Sequence, residues 1–166
     1  ERQIKFIQDS GIVTAMVGIL GVFKGTILYQ RLEKEKRLLK ESSGDNTDGS
    51  INFVPKMGQR VLTDGYKKIV STIYSPRYHY QRIINFLKEY RPIVKKRSDF
   101  HFRYLFRYLW AFFQSLWLLG IREKMAGFYF WKLIFWTLIK KPKAFPLAMS
   151  FAIQGYHFRK VYGKKN

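Results

Sequence analysis

The chain has 166 residues with an apolar fraction of 47% and an aromatic fraction of 18%, which favours one folded domain, or a domain with a fragment of another, over a disordered chain. It contains no cysteine, which excludes disulfides, thiolate metal sites and any iron–sulfur cluster held by cysteines of this chain. The net charge is +20, and residues 91–166 hold 16 basic against 2 acidic side chains. This basic half predicts an anionic neighbour, such as lipid head groups, nucleic acid, a phosphorylated substrate or an acidic protein surface.

The first forty residues predict a helix, a strand and a second helix. Residues 1–9 are typical of the end of a helix, with Ile4 and Ile7 facing inward. Residues 12–23 are almost free of polar side chains and rich in β-branched ones, which predicts a strand buried on both faces. A glycine turn at residues 24–26 and a charged helix over residues 28–40 follow, and this order is that of the last piece of an α/β barrel. The chain does not begin with methionine, so we expect it to be cut from a longer polypeptide.

Residues 41–51 are predicted to be a linker, because residues 41–50 are all polar and include two glycines. Two amphipathic helices are predicted next, over residues 59–74 and 76–90. Ser75 is expected to cap the second of them, with Pro76 at its first position. The expected inner face of that helix consists of Tyr80, Ile83, Ile84 and Leu87.

Three more helices are predicted in the basic half, over residues 100–119, 121–140 and 145–162, with Gly120 ending the first. The expected core stripe of the first contains Phe102, Phe106, Leu109, Phe113 and Leu116, and that of the second contains Met125, Phe128, Trp131, Phe135 and Leu138. In the last helix, small residues at Ala148, Ala152 and Gly155 predict close contact with another helix. The fold class predicted for residues 52–166 is therefore all-α, with about five helices.

Two stretches carry a family resemblance. The first is similar to the region just after the catalytic barrel of cobalamin-binding radical SAM proteins, at Asp48, Gly49, Asn52, Phe53, Pro55, Lys56, Leu62, Gly65, Tyr66, Ile69, Ile73, Tyr74, Ser75, Pro76, Tyr80, Arg82, Ile83, Phe86, Leu87, Tyr90 and Pro92. The second resembles the segment after the last barrel strand, at Gly25, Thr26, Leu28, Tyr29, Arg31, Leu32, Glu35, Arg37 and Leu38. Two prolines of that pattern are replaced by Lys24 and Ile27, so the turn should be less rigid.

The resemblance implies three parts: residues 1–40 as a remnant of a radical SAM barrel, residues 41–51 as the linker, and residues 52–166 as the helical domain of unknown function that follows the barrel. It implies a parent enzyme of the methyltransferase type. The 4Fe-4S cluster, S-adenosylmethionine and cobalamin would be bound by the N-terminal cobalamin-binding and radical SAM domains of the same polypeptide, and no cofactor by this fragment. The fragment would cap the substrate site and be inactive alone, with residues 52–162 expected to form the folded unit.

No catalytic or metal-binding constellation is visible, because His79, His101 and His157 lack metal-ligand spacing. The resemblance places a loop over the carboxyl ends of the barrel strands, where barrel active sites lie. Its substrate-proximal candidates are Asn46, Thr47, Asp48, Asn52, Phe53, Pro55 and Lys56, beside the barrel-end turn of Gly25 and Thr26; the alternative is a solvated loop. His157 belongs to a Gly-x-His-Phe element that resembles one near the end of the family's helical domain, and it is a further functional candidate.

The four tryptophans lie between residues 110 and 136 amid basic residues, a combination that suits a membrane interface. The longest uncharged run, residues 108–121, is shorter than the roughly 20 residues of a membrane span. The second hypothesis is therefore a peripheral membrane-docking module for a lipid-modifying enzyme, since some relatives of the resembled family modify hopanoid lipids. Its candidate contacts are Lys140, Lys141, Lys143, Trp131 and Trp136, although an aromatic-rich core would explain the same spacing.

Nucleic-acid binding is a third hypothesis, which the charge favours. It ranks last because no RNA- or DNA-binding motif is present and the aromatic residues follow core spacing. We expect the protein to be cytoplasmic, with a peripheral position at the inner membrane under the second hypothesis.

Overall fold

The computed structural model describes residues 1–39, 51–91 and 105–163, giving only the backbone of residues 105–109 and 111. The described ranges contain the α-helices α1 (Arg2–Asp9), α2 (Ile27–Lys34), α3 (Gln59–Tyr74), α4 (Pro76–Glu89), α5 (Leu105–Leu116), α6 (Lys124–Lys140) and α7 (Phe145–Gly163). A π-helical segment, Trp117–Arg122, continues α5, and a short 3-10 turn, Pro142–Ala144, precedes α7. The all-α class predicted from the sequence is confirmed.

The predicted strand at residues 12–23 is wrong, since these residues form neither a strand nor a helix. Within the described part of the chain, the one β-type pairing is an isolated antiparallel bridge between Leu38 and Phe53. The physical reason is that a lone strand has no neighbouring strand to satisfy its backbone groups. Side chains bond to several of these groups instead, as described below.

The helix predicted over residues 28–40 is shorter than expected. It begins one residue earlier, after Thr26, whose hydroxyl accepts a hydrogen bond from the Tyr29 amide at 3.2 Å. It ends at Lys34 because Lys36 adopts a left-handed conformation with φ of 56°. Arg37 then runs alongside the residue 52–56 loop, where its guanidinium donates to the Val54 carbonyl at 2.6 and 2.8 Å.

The bounds of α3, α4 and α7 agree with the sequence prediction to within about a residue at each end. Gly58, with φ of +86°, precedes α3, and Pro76 occupies the first turn of α4. Ser75 is the N-cap residue as predicted, but its side chain does not cap the helix, because its hydroxyl donates to the Thr72 carbonyl at 2.8 Å.

The chain forms two compact units: Glu1–Ala15 with Ser71–Asn166, and Met16–Val70. In the first unit, α6 packs against α4 and α7. The core there contains the predicted inner residues Tyr80, Ile83, Ile84 and Leu87 of α4, the small residues Ala148 and Ala152 of α7, and Phe130, Leu133 and Ile134 of α6. In the second unit the buried residues include Ile19, Val22, Leu32 and Ile51. The predicted boundaries at residues 40 and 52 stay a prediction.

The residues predicted to form the core stripe of α6 lie mostly on the exposed face of the helix, so that prediction is wrong. Met125, Phe128, Phe135 and Leu138 are exposed, whereas the buried residues of α6 are Ala126, Gly127, Phe130, Leu133, Ile134 and Thr137. Periodicity could not separate the two faces, because apolar residues surround the whole helix. The small residues decide the matter: a Cβ at Gly127 would lie 2.7 Å from the Gly120 carbonyl oxygen, so this side of α6 packs closest to its neighbour.

The helix predicted to end at Gly120 instead continues to Arg122 in the π form, and α6 begins at Lys124 rather than at residue 121. Leu119 is the buried residue of the π segment, while Phe113, predicted as core, is exposed. The other residues of that predicted stripe include Phe102, which lies outside the described residues, and Phe106 and Leu109, whose side chains are not described.

Candidate functional site

Two polar side chains of α4, His79 and Arg82, are completely buried. They share the inner side of the helix with Tyr80 and Ile83, because residues three and four apart lie on one helical face. The Arg82 guanidinium donates to the Ile12 carbonyl at 3.1 Å, to the Val13 carbonyl at 3.3 Å and to the Gln8 side-chain oxygen. Arg82 therefore binds the segment that follows α1 in place of a neighbouring strand.

Other side chains of the same unit bind this segment as well. The Tyr74 hydroxyl donates to the Ala15 carbonyl at 2.7 Å, and the Thr14 hydroxyl donates to the Gln154 side chain at 3.0 Å. The Tyr74 ring in turn stacks on Phe158, with ring centroids 4.9 Å apart. Burial raises the pKa of Tyr74 to about 12, so its hydroxyl keeps its proton and remains a donor.

Arg82 has no carboxylate within ion-pair distance among the described residues. Its acceptors are neutral oxygens, together with the Nδ1 atom of His79 at 3.5 Å. Burial lowers the pKa of Arg82 to about 10, which leaves it charged at neutral pH. Arg82 is thus a buried cation whose hydrogen bonds to backbone carbonyls fix the path of the chain. The partners of its guanidinium are protein atoms.

His79 is held in one neutral form by its two neighbours. Its Nε2 atom lies 3.0 Å from the Phe151 carbonyl, so Nε2 carries the proton, and Nδ1 accepts from Arg82. Desolvation, together with the Arg82 and Arg159 charges, lowers the pKa of His79 to about 4. Gly155 of α7 lies against the imidazole: a Cβ added there would be 2.1 Å from Nε2.

The pKa of His79 predicts a stability that depends on pH. The folded-state pKa of about 4 lies below the ordinary histidine pKa of 6.5, so between these pH values the unfolded chain binds a proton that the folded chain does not. The contribution of His79 to the free energy of unfolding is therefore fully present above about pH 6.5. It decreases by roughly 2–4 kcal/mol as the pH drops towards 4. Urea unfolding of the chain and of His79→Phe from pH 4 to 7 would measure this as a difference in slope; equal slopes would contradict the assignment.

A partly buried ion pair joins the start of α6 to α7. Arg159 donates to a Glu123 carboxylate oxygen at 2.7 Å, and its guanidinium carbon lies 6.0 Å from the Tyr80 ring centroid. Glu123 is one of only two acidic residues after position 90. In this unit the pair orders the helices and leaves no free carboxylate at that position.

One of the predicted loop residues, Asn52, binds the chain shortly before the predicted turn of Gly25 and Thr26. The side-chain amide of Asn52 donates to the backbone carbonyl of Val22 at 2.7 Å, and its oxygen accepts from the backbone N–H of Val22 at 3.0 Å. These are the two hydrogen bonds that a neighbouring strand would make with Val22. Asn52 thereby fixes the start of the loop that contains Phe53, Pro55 and Lys56 to Val22, which lies three residues before Gly25. Asn52 and Pro55 are buried, whereas Lys56, Gly25 and Thr26 are exposed. Asn46, Thr47 and Asp48 lie outside the described residues.

His157 is exposed, and its ring contacts Phe158 edge to face. The histidine that packs against α7 is instead His79, which the sequence analysis considered only for metal-ligand spacing. The signal was present in part, since Arg82 and Gly155 both belong to the resembled patterns. The missing information was the contact between residues about 70 positions apart.

Some of the candidate membrane-contact residues stabilise the fold through their own hydrogen bonds and packing, and others are exposed at the surface. Lys141 donates to the Lys88 and Tyr90 carbonyls at 3.1 and 3.2 Å and so caps the C-terminal end of α4. Trp131 donates to the Gly120 carbonyl at 3.2 Å, and it and Trp136 pack partly against the core. Lys140 and Lys143 are exposed, and the tryptophans with the most exposed rings are Trp110 and Trp117.

Among the described residues, no three His, Cys, Asp or Glu side chains are grouped so that they could hold a metal ion. No helix within those same ranges is long and apolar enough to cross a membrane.

A family model described as a domain of unknown function, DUF4070, matches residues 26–165. A curated protein of Synechocystis sp., named an uncharacterized methyltransferase, is 28% identical over 160 residues. The match covers 95% of this chain but 29% of that protein, so the chain spans less than a third of the length of its relative. No solved structure matches the chain.

Proposed function

The chain belongs to the DUF4070 family, and from this premise we propose that it is the helical accessory domain of a cobalamin-dependent radical SAM methyltransferase. One observation carries the proposal: a protein named as a methyltransferase aligns with 95% of this chain. The family resemblance of the loop and turn residues supplies the radical SAM and cobalamin part of the proposal.

The chain cannot hold a cysteine-ligated cluster, because it has no cysteine. Under the proposal, the 4Fe-4S cluster, S-adenosylmethionine and cobalamin are bound by N-terminal domains of the same polypeptide. When bound, these groups supply the radical and the methyl group. The residues of this chain supply a folded cap over the substrate, and the chain alone is inactive.

We assign the cap to the loop that follows Asn52 and to the turn of Gly25 and Thr26. Lys56 is exposed on that loop, close in sequence to the buried Pro55, and is available to contact a substrate. A residue that positions substrate affects the yield of the transfer step more than the formation of the radical, since orientation of the reactants determines whether they react.

A variant of the longer polypeptide that carries Lys56→Ala should separate these two steps. We expect methylated product to fall by about tenfold or more while S-adenosylmethionine cleavage is retained. Lys67→Ala, at an exposed lysine on α3, is the matched control and should leave both unchanged. Product formation and cleavage can be measured on one reaction by mass spectrometry.

Equal loss of both activities in Lys56→Ala would contradict the cap assignment but not the enzyme class. The class has a separate test, the gene sequence encoding the residues before Glu1. A three-cysteine cluster motif is expected there, and its absence would overturn the proposal. The purified 166-residue chain, supplied with iron and sulfide, should give no cluster absorption.

A further inference from the structure

The helix α6 is apolar on two opposite faces. One face, which includes Phe130, Leu133 and Ile134, is buried in the core. The opposite face presents Met125, Phe128, Phe135, Leu138 and Ile139 to solvent, with Met125 85% exposed and Phe128 71% exposed. Monomeric proteins rarely leave a continuous face of large apolar side chains exposed, so this outer face of α6 is expected to have a partner.

The helix that precedes α6 has a similar outer face. Trp110, Phe113, Trp117 and Ile121 follow one another at spacings of three and four, and all are exposed. Trp131 lies between the two helices, with its indole bonded to Gly120 and its ring 6.0 Å from that of Phe135. The two faces together contain five exposed aromatic side chains, namely Trp110, Phe113, Trp117, Phe128 and Phe135. Their exposed area is on the order of 500 Å², which equals the area of the largest apolar patch on a typical monomer.

Cations are interleaved with the apolar residues of α6. Lys124, Lys132 and Lys140 recur every eight residues, and all three are exposed. No acidic residue occurs in α5, the π segment or α6. A surface of aromatic and aliphatic residues with regularly spaced lysines is complementary to an apolar layer covered by negative charge.

We propose that the outer face of α6, together with that of α5 and its π segment, docks onto an anionic lipid surface. The helix lies in the plane of the interface, where 17 residues extend about 25 Å. Its aromatic and aliphatic side chains enter the acyl boundary while the lysine stems extend outward to the phosphates. This inference is independent of the methyltransferase proposal, since it uses only exposure and charge on these helices.

The charge argues against a second copy of the chain as the occupant. A two-fold dimer would bring the same lysine-bearing face against itself, and like charges held together at an interface are unfavourable. Nucleic acid could satisfy the lysines, but it offers no apolar layer for Met125, Leu138 and Ile139. An anionic bilayer satisfies both parts of the surface.

The experiment is co-sedimentation of the full 166-residue chain with vesicles of phosphatidylglycerol mixed with phosphatidylcholine, and with vesicles of phosphatidylcholine alone. Tight binding is expected only to the anionic vesicles, with a blue shift of the emission of Trp110 and Trp117. Replacing Lys124, Lys132 and Lys140 with glutamate should weaken the binding on the order of 100-fold. Replacing Lys24, Lys56 and Lys67, which are also exposed, with glutamate changes the net charge equally and should have a much smaller effect.

A second pair of variants tests the apolar part. Phe128→Ser with Phe135→Ser should remove the binding that persists at high salt, because insertion is not screened by ions. Ile27→Ser with Val61→Ser, at exposed apolar residues elsewhere, is the control and should bind as the unaltered chain does. Circular dichroism checks that every variant is folded.

Four results would overturn the proposal: equal affinity for both kinds of vesicle, binding to neither, equal weakening by the two lysine triples, or a dimer in sedimentation that the phenylalanine variants dissociate. Tighter binding to an oligonucleotide than to anionic vesicles, lost in the Lys124, Lys132 and Lys140 triple variant, would assign the surface to nucleic acid instead.

Discussion

Arg82→Met is expected to lower the free energy of unfolding by about 2–4 kcal/mol. The substitution removes three hydrogen bonds from the charged guanidinium to Ile12, Val13 and Gln8, each contributing about 1.5–3 kcal/mol. Burial of the charge acts in the opposite direction: the fall of the Arg82 pKa to about 10 corresponds to a penalty of about 3 kcal/mol, which methionine avoids. The hydrogen bonds outweigh this penalty because the acceptors they leave behind are buried.

Urea unfolding of the full chain at neutral pH measures the effect. Arg77→Met is the matched control, since Arg77 lies on the same helix but is exposed, and its replacement should cost less than about 0.5 kcal/mol. Arg82→Lys keeps the charge but cannot reach all three acceptors, so it should be nearly as unstable as Arg82→Met. An Arg82→Met variant as stable as the control would mean that the segment after α1 is held by its other contacts.

The helices α3, α4 and α7 were predictable from the sequence because apolar spacing identifies their inner faces and glycine or proline residues identify their ends. In α4 the buried residues Tyr80, Ile83 and Leu87 follow helical spacing, and Gly58 and Pro76 mark the starts of α3 and α4. The face of α6 could not be predicted in this way, since its apolar residues do not select one side. The choice depends on how closely Gly127 approaches Gly120, which is a property of the packed structure.

The segment of residues 12–23 was predicted as a strand for a sound local reason, its β-branched apolar composition. That composition does not reveal what satisfies the backbone. Here Arg82 and Tyr74 bind the carbonyls of residues 12, 13 and 15, and Asn52 binds both backbone groups of Val22. Side chains from distant helices and loops replace the ladder of a sheet, so the prediction failed where the answer depends on long-range contacts.

The same limit applies to the candidate site. The resemblance selected Asn52, Gly25 and Thr26, but it did not indicate that Asn52 binds both backbone groups of Val22. The environment of His79 likewise depends on Phe151 and Gly155, more than 70 residues away. Lone histidines and arginines on an amphipathic helix give no sign of their burial until such partners are known.

Gly155→Ala should have opposite effects on stability in two backgrounds. In the natural sequence the new methyl group would lie 2.1 Å from Nε2 of His79, whose position is fixed by the Phe151 carbonyl. Overpacking of this kind costs about 1–3 kcal/mol. In a His79→Ala background the ring is absent, so the substitution should instead stabilise α7 by up to about 1 kcal/mol, the ordinary gain of alanine over glycine in a helix.

A double-mutant cycle measures the difference as a coupling free energy of about 2–4 kcal/mol between positions 79 and 155. Gly65→Ala in α3 is the control: nothing lies within 4 Å of its added Cβ, so it should stabilise the chain by a similar small amount in both backgrounds. If Gly155→Ala changed the free energy of unfolding equally with and without the imidazole, α7 would not pack against His79 as closely as the structure places it. The Gly-x-His-Phe element would then need another explanation, with His157 as its remaining candidate.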